Sequence, residues 1–270
     1  MSWKSRLKEW QQGVDYSSKE ERMTARKLMQ LQYAINVDCY NMAKESGLIS
    51  KAVAGPIYDG VPDENSYLAT DPKVLWILQE PHDSGCPKGE SKGNWSVPKD
   101  MILVEDYGWG NPTHEALAKV MYAFRNAIDY LAADMKFKTD EKLAWKIMET
   151  LKSTAWINVS KMPCPNGKSA DMQRIRRDYR RYWKEIVVRQ VREVFVPDIV
   201  VVAGAQWDPV ADDLMLDAKE CLGYPYQVDR WRDADGRQFL WGDHPTARKG
   251  KCFDVWVKAL VDAAGELCLH

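Results

Sequence analysis

Three short segments gather polar residue types suited to chemistry: Gln79-Glu80-Pro81-His82-Asp83, Asn158, and His244-Pro245. A carboxylate such as Glu80 can stabilise developing positive charge or take a proton from water as a general base. A neutral histidine such as His244 donates one hydrogen bond to a developing oxyanion. The amide of Asn158 offers a donor and an acceptor to an imide edge. Each type also has a structural use: Glu80 as a solvated or helix-capping acid, Asn158 as a turn former, His244 as a satisfied, partly buried ring. Glu80, His82, Asp83 and His244 include metal-ligating types. No spacing such as H-E-x-x-H accompanies them, so no metal is expected.

Chemistry from segments this far apart requires a scaffold that brings them together. Val74-Leu-Trp-Ile-Leu78 is an apolar run that ends abruptly at Gln79, as a buried strand does when it delivers a polar loop. Thr154 to Asn158 and Gln238 to Trp241 have the same form, and Pro197 to Gly204 is the clearest buried strand. Helical patterns lie between them. Asn111-Pro112 opens a helix with Leu117, Val120, Met121, Phe124, Ile128 and Leu131 on one apolar face. Asp140 to Lys152, an arginine-rich stretch from Ser169 to Val194, Trp207 to Leu222 and Phe253 to Ala264 also read as helices, with a turn at Asp233 to Gly236.

This alternation predicts an α/β domain over 53–270, three-layer, with a mainly parallel four-stranded sheet. If its strands run parallel, the three polar segments meet at their carboxyl ends. Residues 53–71 are rich in Gly and Pro and read as a connecting loop. Residues 1–52 form a helical amino-terminal region, with Ser18-x-x-Glu21 as a capping box and Met23, Leu28, Leu31, Ala34 and Val37 at helical spacings.

With 270 residues and a formal charge of −1, the chain is no general polyanion binder, so attraction to phosphate must be local. From Lys161 to Glu193 there are ten Lys or Arg against four Asp or Glu. Arg174, Arg177, Arg181 and Lys184 share a helical face that reads as a solvated exterior. The six cysteines contain no C-x-x-C pair, and the start lacks a signal-type apolar stretch, so reduced thiols and a cytoplasmic protein are expected. No apolar run approaches the roughly 20 residues of a membrane span.

Taken in order, LQEPHD (78–83), AWIN (155–158), PDIVVVAG (197–204) and HPTARK (244–249) resemble the uracil-DNA glycosylase superfamily. Its best-known branch has GQDPYH after the first strand, LLLN at a strand end and HPSPLS before the last helix. The resemblance covers about residues 70–265 and implies that family's fold and no cofactor. It also implies a DNA N-glycosylase that hydrolyses the N-glycosidic bond of uracil or a related modified base in DNA repair. The alternative is a non-catalytic nucleic-acid or nucleotide binding module on the same fold.

By position, the resemblance makes Glu80 and His244 catalytic and Gln79, His82, Asp83 and Asn158 base-binding. Trp95, Tyr107 and Trp109 fall where the family places its stacking aromatic, and Trp95 is the candidate taken forward. Thr246, Arg248, Lys249 and Lys251 fall in the loop that grips DNA. Leu78 replaces a glycine, Glu80 replaces an aspartate, and His82 stands where that branch has a tyrosine that excludes thymine. Ala247 is a poor wedge for extruding a base from a duplex, so the expected partner is single-stranded or damaged DNA. Some relatives hold an iron-sulfur cluster on four cysteines, and the closely spaced pair this needs is missing here.

Overall fold

Short runs of β-branched and aromatic residues set the sheet, since such side chains pack well on a pleated, buried surface. The computed structural model describes residues 23–51, 53–81, 93–102, 109–164, 171–204, 207–214, 220–222, 228–245 and 251–268. Among these residues the strands are β1 (Ile57–Tyr58), β2 (Val74–Leu78), β3 (Trp95–Ser96), β4 (Ala155–Asn158), β5 (Ile199–Ala203), β6 (Glu220–Leu222), β7 (Val228–Arg232) and β8 (Gln238–Gly242). One sheet has the order β4-β2-β5-β8-β7-β6, and β1 and β3 form a separate parallel pair.

Strands β4, β2 and β5 are mutually parallel, as expected, and β8 runs parallel to them as well. The sheet has six strands rather than the expected four, because β7 and β6 add on antiparallel. The turn at Asp233 to Gly236 closes a hairpin between β7 and β8, with Gly236 at φ 82° and the Gly236 amide donating to the Asp233 carbonyl. Of the helix expected over Trp207 to Leu222, Trp207–Leu214 is helical, whereas its last residues, Glu220–Leu222, are strand β6.

The helices are α1 (Ala25–Glu45), α2 (Glu64–Leu68), α3 (Pro112–Arg125), α4 (Tyr130–Thr139), α5 (Glu141–Glu149), α6 (Met172–Asp178), α7 (Lys184–Arg189), α8 (Trp207–Leu214) and α9 (Lys251–Leu267). Their starts follow from capping chemistry. Thr24, Asp63, Asn111, Asp129, Asp140 and Asp171 each accept a bond from an amide in the first turn. Capping also explains a departure from the expected long helix. Asn126 closes α3, Ala127 takes φ 51°, and Asp129 starts α4 afresh, so Leu131 leaves the apolar face and stands 49% exposed. Two π turns, Tyr179–Trp183 and Gln190–Phe195, continue α6 and α7 in one helical run.

Alternation along the strands divides the core into two. Val74, Trp76, Leu78, Val201 and Leu240 pack with residues of α3, α5 and α9. Leu75, Ile77, Val200, Val202 and Phe239 pack with residues of α1, α7 and α8. Helices thus cover both faces, a three-layer α/β arrangement. Helix α1 contributes Leu28, Ile35, Cys39 and Ala43 to the second core. Among the described residues no helix is long and apolar enough to cross a membrane.

Residues 53–71, expected to be a loop, carry β1 and α2 and protect the free edge of β4. Gly60 and Trp156 exchange backbone bonds of 3.1 and 3.2 Å, and the Ile57 amide donates to the Lys161 carbonyl at 2.8 Å. Gly60 has φ 140°, and a Cβ there would lie 2.1 Å from Gln32 Oε1, the atom that accepts from the Val61 amide. Glycine is therefore required for this segment to lie against α1.

Candidate functional site

The parallel register sends β2, β4 and β8 to the same edge of the sheet, so Glu80, Asn158 and His244 all follow carboxyl strand ends there. Strands β2 and β8 are two spacings apart, about 10 Å. The chain after β2 stays beside the chain after β4. The amides of Val159, Ser160 and Cys164 donate to the carbonyls of Leu78, Gln79 and Pro81 at 2.9, 2.9 and 2.8 Å. The backbone oxygen of Gln79 is therefore engaged within the protein.

Glu80 is buried, and its Oε2 forms an ion pair with Arg174 of α6. Its Oε1 is also buried and has no hydrogen-bond partner among the described residues. The guanidinium is a quarter exposed and lies 3.9 Å from Asp178 as well. The expected solvated basic face is thus partly inward-turned. Arg174 compensates Glu80, Lys184 pairs with Asp213, and Arg177 stays mostly in solvent beside Asp178.

Asn158 is equally enclosed. Its Nδ2 donates to Asp59 Oδ1 at 2.8 Å, and the other oxygen of Asp59 takes Lys161 Nζ in an ion pair with both side chains inside the protein. Lys161 Nζ also donates to Gln190 Oε1 at 2.7 Å. Two buried charges satisfied by each other and by amides form a network in which every partner counts.

His244 follows β8 at intermediate burial. The end of β8 is tied to that of β5, with the Gly204 amide donating to the Gly242 carbonyl and Trp241 Nε1 to the Gly204 carbonyl, each at 2.7 Å. A Cβ on Gly242 would sit 2.7 Å from the Trp256 ring, so glycine allows α9 to close on the strand that carries His244.

Of the remaining expected site residues, Trp95, Trp109 and Lys251 are among those described. Trp95 is a core residue, 3% exposed, and leaves almost none of its ring at the surface. Trp109 is stacked on Phe137 at 5.2 Å and meets Trp145 edge-on at 4.9 Å. Lys251 begins α9. His82, Asp83, Tyr107, Thr246, Arg248 and Lys249 lie outside the described residues. Among the described residues no group of three or more His, Cys, Asp or Glu is placed to hold a metal.

Another histidine, His114, lies in the first turn of α3 with its ring 6.0 Å from that of Trp156 in β4. Burial without a compensating charge pushes its imidazole down to about 4, and its Nδ1 has no partner among the described residues. It is a neutral core residue. Burial likewise pushes the Cys39 thiol up to about 12, which leaves it unreactive.

Asp59, Lys161, Arg174 and Gln190 were not singled out from sequence as site residues. Asp59 lies in the stretch read as a loop, and Lys161 counts there as one more surface cation. One signal was present: Ile57-Tyr58-Asp59-Gly60 sets an acid between two apolar residues and a glycine. Against known protein families and curated proteins, the chain finds no match.

Proposed function

We propose that the carboxyl edge of β4, β2 and β8 is the active site of a DNA N-glycosylase for uracil or a related modified base, on a sheet of the uracil-DNA glycosylase type. The observation that carries this reading is the Glu80 carboxylate, buried at a strand end with Oε2 on Arg174 and Oε1 without a donor among the described residues. A buried acceptor in that condition calls for an outside donor. An attacking water is one.

In the reaction the water oxygen bonds to the sugar C1′ and the C1′–N bond breaks, its electron pair passing to the base. The water's surplus proton goes through Glu80 to the departing base. Glu80 also offsets the oxocarbenium charge on the sugar, His244 donates to the oxyanion of the base, and Asn158 pairs with the base edge. Thr246, Arg248, Lys249 and Lys251 are assigned to strand phosphates, which position DNA without reading its sequence. Single-stranded or damaged DNA is the proposed partner.

The grip of Arg174 on Glu80 favours one competing reading, a nucleic-acid or nucleotide binding module without turnover, because one oxygen of the carboxylate is already committed to a guanidinium. A panel of oligonucleotides carrying uracil, hypoxanthine, xanthine or oxidised pyrimidines, assayed for free base in the presence of a chelator, separates the two. Release of a base supports the glycosylase. Tight binding with no release from any substrate supports the module.

A further inference from the structure

The Asn158 amide has one orientation open to it. Its Nδ2 donates to Asp59 Oδ1 at 2.8 Å, while Lys161 Nζ holds the other carboxylate oxygen and donates at 2.7 Å to Gln190 Oε1. A carboxylate only accepts and an ammonium only donates, so the two charges dictate the direction of every bond in this chain. Turning the amide over would set Asn158 Oδ1 against Asp59 Oδ1, two acceptors facing each other away from water, and would forfeit a charge-assisted bond. Asp59 cannot slide away from this contact. It precedes Gly60, which is bridged to Trp156 and packed against Gln32. Asn158 Oδ1 itself takes no hydrogen bond among the described residues.

We infer that Asp59 is a positioning residue that sets specificity: it locks the Asn158 amide so that Oδ1 is the acceptor offered at the strand end, selecting a ligand edge that carries an N–H donor. Imide and lactam rings have such an edge, uracil with its N3–H among them. Cytosine is disfavoured because its N3 is an acceptor. The ligand half of this inference rests on the glycosylase reading, whereas the locked amide does not.

The test uses the full chain and two readouts. The side-chain amide resonance of Asn158, assigned by its loss in Asn158→Ala, reports the lock in the wild type without any ligand. Exchange with water at least about tenfold slower than for an exposed asparagine is expected, since the N–H is buried in a bond to a carboxylate. Titration with free uracil and free cytosine reports selectivity. The double variant Asp59→Asn, Lys161→Gln removes both charges together, leaves neither stranded in the core, and lets residue 59 donate as well as accept. It should show faster amide exchange and lose at least about tenfold of the uracil preference, the effect of one mismatched hydrogen bond.

Rapid exchange of the wild-type amide overturns the inference without recourse to any variant. So does a folded double variant that keeps the wild-type preference. A wild type with a locked amide that binds neither base overturns the ligand assignment together with the glycosylase reading, which separates that failure from a failure of the lock.

Discussion

Lowering the pH should weaken this fold through one residue, His114. Its imidazole is buried in the first turn of α3, and burial depresses it from 6.5 to about 4. The unfolded chain therefore binds a proton at 6.5 that the folded protein refuses until about 4, so this stability is present above pH 6.5 and is lost as pH falls through that interval. At roughly 1.4 kcal/mol per tenfold change in proton activity, the loss is about 3 kcal/mol. His114→Leu removes the titration while keeping an apolar side chain against Trp156. Urea denaturation of both proteins from pH 7.5 to pH 4 gives a difference curve in which titrations common to both cancel. The wild type should lose about 3 kcal/mol relative to the variant. A difference flat to within about 0.5 kcal/mol, the usual limit of additivity, would refute the account of His114 as a neutral core residue.

Four further outcomes are expected. Arg174→Met should cost about 3–5 kcal/mol by stranding the buried Glu80 carboxylate, and adding Glu80→Gln should recover much of that in a urea double-mutant cycle. Gly242→Ala should cost about 1–3 kcal/mol in the same assay, because its Cβ meets the Trp256 ring. Val196 is 40% exposed and has φ 43°, so Val196→Gly should raise stability by about 0.5–1 kcal/mol in thermal or urea unfolding. Reversing charge at Arg248, Lys249 and Lys251 should weaken oligonucleotide binding and flatten its salt dependence by about one counterion per lost phosphate contact.

The strands that carry the site were legible because each is a short apolar run that stops at a polar residue. Val74–Leu78, Ala155–Asn158, Ile199–Ala203 and Gln238–Gly242 lie in one sheet as expected, the first three of them in parallel. What the pattern concealed lies in a strand of mixed polarity and in pairing across long separations. Strand β7 mixes a buried acid with apolar residues, since Asp229 is fully buried beside Val228, so no clean alternation marks it. Asp59 and Lys161 are 102 residues apart and have ordinary surface types, and only the lie of the 57–60 segment along β4 makes them a buried pair. Arg174 follows helical spacing with Arg177 and Lys184, but its length and its place in the first turn of α6 let it reach inward to Glu80. A helical face drawn from spacing alone cannot show that one of its cations is compensating an acid on a neighbouring loop.

If Glu80 acts in breaking an N-glycosidic bond, its contribution is read from single-turnover release of free uracil from a uracil-containing single strand. Wild type and Glu80→Gln are compared, with strand binding measured in parallel. Glu80→Gln should bind the strand as tightly as wild type yet release base about 100-fold to 1000-fold more slowly, because the lost charge acts chiefly in the transition state. Equal rates of release from the two proteins would contradict that role for Glu80.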